Sequence, residues 1–195
     1  MRSKLLDLQR AQYRHDEVAH RDIQCLLLPR RLTHFTLHFA KYQGRLAEAV
    51  SESDIPLLKR LTTDSLIIAL AAANSMNLDL EQRVAESRPG NRTGSRAREL
   101  RETRLSFLLE YAAIVGDMAK ACEVQDHLEN YPSRDVLERS TAEMVELCLR
   151  IAECEQFDLV ASVSKRWIEV EAKSVLKRHE DCTAAAKTSA ISAVA

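Results

Sequence analysis

The stretch from Gly44 to Val84 constrains the fold of this chain more than any other part of the sequence. It opens with the end of a helix predicted at 31–50, whose apolar residues recur at steps of three and four, as is typical of a helix that packs one face against other helices. The polar residues 51–54 offer N-caps for a second helix, whose first turn tolerates Pro56. Residues 55–76 are apolar on most faces, as in the central helix of a bundle. The stretch therefore predicts an all-α helical bundle.

The apolar patterns outside this stretch predict further helices. Residues 1–28 fit an N-terminal helix that Pro29 closes, because the residue before a proline is pushed out of the helical region. Asp79 can cap a short helix that ends near Ser87, and Asp158 begins the last helix. The other predicted helices span 31–50, 105–128 and 133–154, the last of them capped by Ser133 or Asp135.

Charge and cysteine usage restrict the class of protein. The formal net charge is −1, so no overall field favours nucleic acid or a membrane as the partner. No apolar run approaches the ~20 residues that a membrane-spanning helix needs. The cysteines are odd in number, scattered and never arranged as CxxC, which favours a reducing compartment without disulfides. We therefore expect a cytoplasmic protein.

An arginine-rich segment separates two helical regions. Residues 89–104 belong to the only stretch dense in Pro, Gly, Ser and Asn, which makes them the clearest linker in the chain. Arg92, Arg96 and Arg98 lie in it, and they fit either a solvated connector or a strip that contacts phosphates. Aromatic residues that could stack on bases are absent there, which weighs against single-stranded nucleic acid. Association with nucleic acid through these arginines stays open as one alternative.

The two helical regions share a sequence pattern. Residues 44–50 (GRLAEAV) align with 116–122 (GDMAKAC), and residues 64–84 align without a gap with 143–163. Gly44 and Gly116 fall at the same point of the two copies. A glycine inside a helix costs about 1 kcal/mol relative to alanine, so its presence at both points predicts close approach of another backbone. The pattern favours an internal duplication over two unrelated helical hairpins.

Several residues of the first copy resemble a known family. The segment His38–Ala49 (HFAKYQGRLAEA), followed by Asp64–Ile67 and Asn77–Glu81, resembles the MazG-like all-α NTP pyrophosphohydrolases, a superfamily that includes the dimeric dUTPases. The resemblance covers residues 30–88 well and 105–170 loosely, and it implies a helical bundle built from two MazG-like helical repeats. The domain organisation that follows is an N-terminal helix at 1–29, a first MazG-like half at 30–88, the arginine-rich linker at 89–104, a degenerate second half at 105–180 and a flexible tail at 181–195.

The family signature pairs an ExxE motif on one helix with an ExxD motif on the next. Carboxylates three residues apart lie on one helical face, and two such faces hold Mg²⁺ ions that clamp a triphosphate and activate a water. In the first half, Tyr42 and Arg45 take the ExxE positions. Leu61 and Asp64 take the ExxD positions, so only Asp64 remains of the four acids. Arg45 puts a positive charge where the metal would sit, and it could ion-pair with Asp64.

The second half keeps more acids. Two carboxylates, Asp117 and Glu143, stand at the motif positions, and Glu146 follows one turn on. These acids could hold one loosely bound cation, but they do not rebuild a four-carboxylate site. Glu110 is a further acid that could supplement them, although it lies before the motif.

These substitutions favour a diverged, non-catalytic protein that acts by binding. It would recognise another protein, or a second copy of itself, through a helical face, or it would keep a nucleotide or phosphate pocket in which Arg45 replaces the charge of the metal. The alternative is an active Mg²⁺-dependent nucleoside triphosphate pyrophosphohydrolase that uses Asp117, Glu143 and Glu146. Mg²⁺ is the cofactor implied for that alternative, and no other is expected.

Overall fold

A computed structural model describes residues 2–87, 100–127 and 129–173, and every regular element within them is an α-helix. The prediction of an all-α helical bundle is therefore confirmed. The helices are α1 (Arg2–Ala19), α2 (Arg21–Gln24), α3 (Leu28–Glu52), α4 (Ile55–Met76), α5 (Leu80–Ser87), α6 (Leu100–His127), α7 (Ser133–Cys154) and α8 (Leu159–Glu171).

The helices pack in three layers. The first layer consists of α3 and α6, which contact each other and also contact α4 and α7, respectively. The second layer consists of α4 and α7, which contact each other and complete a four-helix bundle. In the third layer α1 and α8 pack on α4, whereas α5 packs on α7. The second layer is therefore covered on both sides, which explains why α4 is apolar on most of its faces.

The first-layer helices run antiparallel. The rings of Phe39 and Tyr111, which occupy matched positions of the repeat, meet edge to face with a centroid distance of 6.4 Å. Thr36 precedes Phe39 on α3, yet its hydroxyl contacts the Sγ atom of Cys122, beyond Tyr111 on α6, at 3.5 Å. The order of contacts is thus reversed between the two helices. The Tyr111 hydroxyl also forms a 2.9 Å hydrogen bond with the hydroxyl of Ser65, which ties the first layer to the second.

The turn that ends the second-layer helices is the same in both halves. Asn77 after α4 has a φ of 56°, and Gln156 after α7 has a φ of 51°. In each turn the next amide donates to the carbonyl five residues back, at 2.9 Å in the first half and 3.1 Å in the second. Asp79 and Asp158 then accept a hydrogen bond from the amide three residues later, at 3.0 and 2.9 Å. The matched geometry agrees with the repeat seen in the sequence.

Gly44 and Gly116 also share an environment, but no described residue makes the predicted close contact with them. Both lie exposed on the outer side of the first layer. A Cβ atom built on either one meets no neighbouring atom within 4 Å in the described part of the chain. The described residues therefore do not supply the predicted close approach of another backbone, because the packed faces of α3 and α6 point the other way.

Three helix ends differ from the prediction. The N-terminal helix is interrupted at His20, which lies between α1 and the four-residue α2. Pro29 begins α3 instead of closing the helix before it, because proline is tolerated in a first turn, where the amide lacks a partner anyway. α7 starts at Ser133, after Pro132 and without a side-chain cap, so neither Ser133 nor Asp135 is its N-cap.

The helix α1 packs on the second layer through a largely polar face. Trp167 Nε1 donates to Gln12 Oε1 at 2.6 Å, and Gln12 Nε2 donates to Asp16 Oδ1 at 2.7 Å. The other carboxylate oxygen of Asp16 is buried and has no hydrogen-bond partner within the described residues. Burial raises the pKa of Asp16 to about 7, although the hydrogen bond from Gln12 and the charge of Arg31 both lower it.

Some sequence predictions fall on residues that the structure does not describe. Arg92, Arg96 and Arg98 lie in residues 88–99, and the predicted tail at 181–195 lies in residues 174–195, both outside the described residues. None of the described helices combines the length and the apolar character that crossing a membrane requires. The cysteines within the described residues, namely Cys25, Cys122, Cys148 and Cys154, are free thiols.

Candidate functional site

The alignment of the two helical regions matches two polar surfaces of the bundle. The first site, in the first half, consists of Tyr42 and Arg45 on α3, Arg60 and Asp64 on α4, and Arg166 on α8. The second site, in the second half, consists of Glu110 and Asp117 on α6 with Arg139, Glu143, Glu146 and Arg150 on α7.

In the first site, Asp64 pairs with Arg166 and not with Arg45. Arg166 Nε donates to Asp64 Oδ1 at 2.7 Å, and Arg166 Nη2 donates to Asp64 Oδ2 at 3.4 Å. The residue Asp64 is 8% exposed, and its fork-shaped contact with a guanidinium is the strong form of ion pair. The predicted partner, Arg45, is exposed instead. The sequence could not indicate this pair, because Arg166 lies about a hundred residues further along the chain.

Arg166 is held in place by a second carboxylate. Its Nη1 atom donates to Glu169 Oε2 at 3.1 Å, one turn further along α8. The hydrogen bond to Asp64 contributes most to raising the pKa of Arg166, and the contact with Glu169 adds to the effect. Arg166 therefore stays charged, and it neutralises the one acid of the first site at the position where the resemblance implies a metal ligand.

Tyr42 is a buried phenol on which the charges of the first site act. Burial raises the pKa of Tyr42 to about 12, and the negative charge of Asp64 acts in the same direction. The positive charges of Arg166, Arg45 and Arg60 oppose this shift. All three guanidinium groups are therefore close enough to act on one phenol, and two of them, on Arg45 and Arg60, belong to exposed residues.

In the second site, one arginine contacts two of the predicted metal ligands. Arg139 Nη2 donates to Asp117 Oδ2 at 3.1 Å, and Arg139 Nε lies 3.7 Å from Glu143 Oε1. A further arginine, Arg150, forms an ion pair with Glu110. These side chains are half-exposed, so solvent screens the pairs and each contributes little to stability.

The acids of the second site also act on one another. The pKa of Glu143 is raised, first by burial and then by the negative charges of Asp117, Glu110 and Glu146, while Arg139 lowers it. Four carboxylates with two guanidinium groups leave this surface with an excess of negative charge. The first site has the opposite excess, since it combines three guanidinium groups with two carboxylates when Glu169 is included.

The donor groups do not fit the metal site that the resemblance implies. The single acid of the first site is occupied by Arg166, and Arg139 sits between two acids of the second site. Among the described residues, no group of three or more His, Cys, Asp or Glu side chains is placed to hold a metal ion. Mg²⁺ prefers several oxygen ligands around an ideal octahedron, which a guanidinium placed among the acids opposes.

Some residues of both sites were missed in the sequence. Arg60 and Arg139 occupy matched positions of the repeat, so the alignment contained a signal for both. Arg166 and Arg150 have no charged residue at the matched positions, and only the packing of the helices brings them to their acids.

Comparison of the chain with protein-family models, with curated proteins and with solved structures finds no match.

Proposed function

We propose that this chain binds phosphate-bearing anions at the first site, with nucleoside triphosphates as the leading class, and does not hydrolyse them. The observation that carries the proposal is the ion pair between Arg166 and Asp64, because it occupies the one acid of the first site while Arg45 and Arg60 are exposed and outside that pair. Positive charge thus stands where the resemblance implies metal ions.

Guanidinium groups suit this task chemically. Arginine is always charged, and its planar fork donates two parallel hydrogen bonds to a phosphate. In a metal-dependent site, Mg²⁺ neutralises the charge of the triphosphate and also activates the attacking water. Arg45 and Arg60 can supply the first of these roles but not the second, because a guanidinium does not coordinate a water oxygen and so does not lower the pKa of water as a metal does. Binding without turnover follows from this difference.

Calorimetric titration tests the proposal. We expect the full chain to bind a nucleoside triphosphate with 1:1 stoichiometry, and the double variant Arg45→Gln/Arg60→Gln to bind it at least about tenfold more weakly, since each charged hydrogen bond contributes about 1.5–3 kcal/mol. The matched control is Arg139→Gln, which removes the corresponding arginine of the second half. Equal affinity of the double variant and the wild type would contradict the proposal.

The hydrolase alternative is favoured by a different observation, the four acids gathered in the second site. It predicts release of pyrophosphate from nucleoside triphosphates with Mg²⁺ or Mn²⁺, and loss of that release in Glu143→Gln. Turnover that disappears in this variant would replace the proposed function. Association with nucleic acid through Arg92, Arg96 and Arg98 stays a prediction, and it requires binding that weakens steeply with added salt.

A further inference from the structure

We propose that Lys41 and His38 extend the first site along α3, and that His38 takes up a proton when a phosphate-bearing anion binds there. This rests on the proposed function of the first site, to which it adds two residues and a dependence of binding on pH. The contacts of the Lys41 ammonium with His38 and with the ring of Tyr42 carry the proposal.

The ammonium of Lys41 joins His38 to the first site. Lys41 Nζ lies 4.7 Å from the centre of the Tyr42 ring and 3.3 Å from His38 Nδ1. The rings of His38 and Tyr42 also meet edge to face, with a centroid distance of 5.9 Å. Lys41 is exposed and His38 is half-buried, so an anion in solution can reach the ammonium directly.

Arg45 lies on the same face of α3 as these two residues. It follows Lys41 by four residues and His38 by seven, which correspond to one and two turns of the helix. The two turns span about 10 Å along the helix axis. An anion with several charges, such as a triphosphate, can therefore contact Arg45 and Lys41 at the same time.

The contact with Lys41 fixes which nitrogen of His38 carries the proton. An ammonium has only donors, so His38 Nδ1 accepts the hydrogen bond and the proton of the neutral ring lies on Nε2. A phosphate oxygen that accepts the hydrogen bond of Lys41 releases the lone pair of Nδ1. A proton from the solvent then adds to Nδ1, and the ring becomes an imidazolium.

The surroundings of His38 hold its ring neutral in the absence of an anion. Its pKa is lowered to about 4, first by burial and then by the charges of Lys41, His34 and His20. The helices α4 and α6 also pack on α3, but the groups that act on His38 belong to α3 and to the junction of α1 and α2. A phosphate group supplies negative charge beside these cations, so its binding raises the pKa of His38.

Proton NMR of the histidine rings in the full chain measures the uptake of the proton. The chain is titrated from about pH 5 to pH 8 with and without saturating ATP, in the absence of metal ions, and His38 is identified by the signal that His38→Gln lacks. We expect ATP to raise the proton affinity of His38 about 100-fold, as an opposite charge within a few ångströms does.

Calorimetric titration gives the effect on binding. The wild type should bind ATP about fourfold more tightly than His38→Gln at about pH 5.5 and equally well at about pH 8, where His38 is neutral with and without the ligand. Comparing the two proteins cancels the protons that the terminal phosphate itself exchanges. The matched control is His34→Gln, one turn further from Lys41, which should keep the pH profile of the wild type.

Lys41→Gln tests the role of the ammonium. It should weaken ATP binding at pH 8 and, in the protein without ATP, should raise the proton affinity of His38, because one of the charges that oppose protonation is removed. ATP binding that depends on Arg45 and Arg60 but leaves the proton affinity of His38 unchanged would overturn this inference and leave the proposed function standing. The same loss of pH dependence in His34→Gln as in His38→Gln would also overturn it, whereas a wild type that does not bind ATP would overturn both.

Discussion

The first and second sites occupy matched positions on the two halves of one bundle, yet they have opposite charge. Arg45 stands where the second half has Asp117, while Asp64 matches Glu143 and Arg60 matches Arg139. The turns that follow α4 and α7 are nearly identical, down to the left-handed residue and the aspartate cap. The scaffold of each site and its charges are therefore under separate physical constraints.

The turns and the site charges differ in what they contact, and this difference explains why only the charges have changed. The turn residues are fixed by backbone hydrogen bonds, and residues such as Leu80 and Leu159 are fixed by burial in the core. Arg45 and Asp117, by contrast, are exposed, and an exposed charge can be exchanged with little effect on stability. Charges at the sites can therefore diverge while the helices stay in place.

The largest expected effect on stability comes from a substitution in α1, the helix that packs on α4 of the first half through polar residues. Asp16→Asn should stabilise the protein by up to about 4 kcal/mol at pH 8 and by little at pH 4, since each pKa unit corresponds to about 1.4 kcal/mol. The folded protein raises the pKa of Asp16 from 3.8 to about 7, so ionisation of Asp16 opposes folding increasingly as the pH rises between these values.

Urea unfolding of the wild type and Asp16→Asn at pH 4, 6 and 8 measures this difference directly. Comparing the two proteins cancels the contribution of the histidines, such as His38, whose pKa burial lowers to about 4. The control is Asp7→Asn, since Asp7 lies exposed on the same helix. A difference in unfolding free energy that does not change with pH would show that the Asp16 carboxyl is solvated.

The next largest effect is a difference in stability between two arginine variants, because the ion pair of the first site is more buried than those of the second site. Arg166→Met should destabilise the protein by about 3 kcal/mol, because it leaves the carboxylate of Asp64 buried without its partner. Arg139→Met removes the corresponding ion pairs of the second site, which are half-exposed, and should cost less than about 1 kcal/mol. Chemical denaturation at pH 7 gives both values, and equal costs would mean that the two sites do not differ in burial.

The smallest expected effect tests the repeated turn. Asp79→Ala and Asp158→Ala should each cost about 1 kcal/mol, because each removes the acceptor for one amide in the first turn of a helix. The costs should be nearly equal if the turns are equivalent in energy as well as in geometry. Thermal unfolding of the two variants measures both, and a clear effect in only one would show that the turns have diverged.

The sequence predicted those parts of the fold that depend on local chemistry. The bounds of α4 follow from the cap of Asp54 and the break at Asn77, and both were visible in the sequence. The prediction at Pro29 was wrong because proline has two opposite effects. It disfavours a helical conformation at the residue before it, and it also favours the first turn of a new helix. The sequence does not show which effect prevails. The partner of Asp64 was missed because Arg166 reaches it only through the packing of α8 on α4.

Our proposal that the first site binds a triphosphate through arginines without cleaving it makes two statements that one experiment can examine. Phosphorus NMR of a nucleoside triphosphate mixed with the protein and Mg²⁺ reports both properties in one spectrum. We predict that the phosphate resonances broaden with the wild type, sharpen again with Arg45→Gln/Arg60→Gln, and give no pyrophosphate signal over hours. A growing pyrophosphate resonance would show that the chain is a hydrolase, and the same broadening with the double variant would show that these two arginines do not bind the triphosphate.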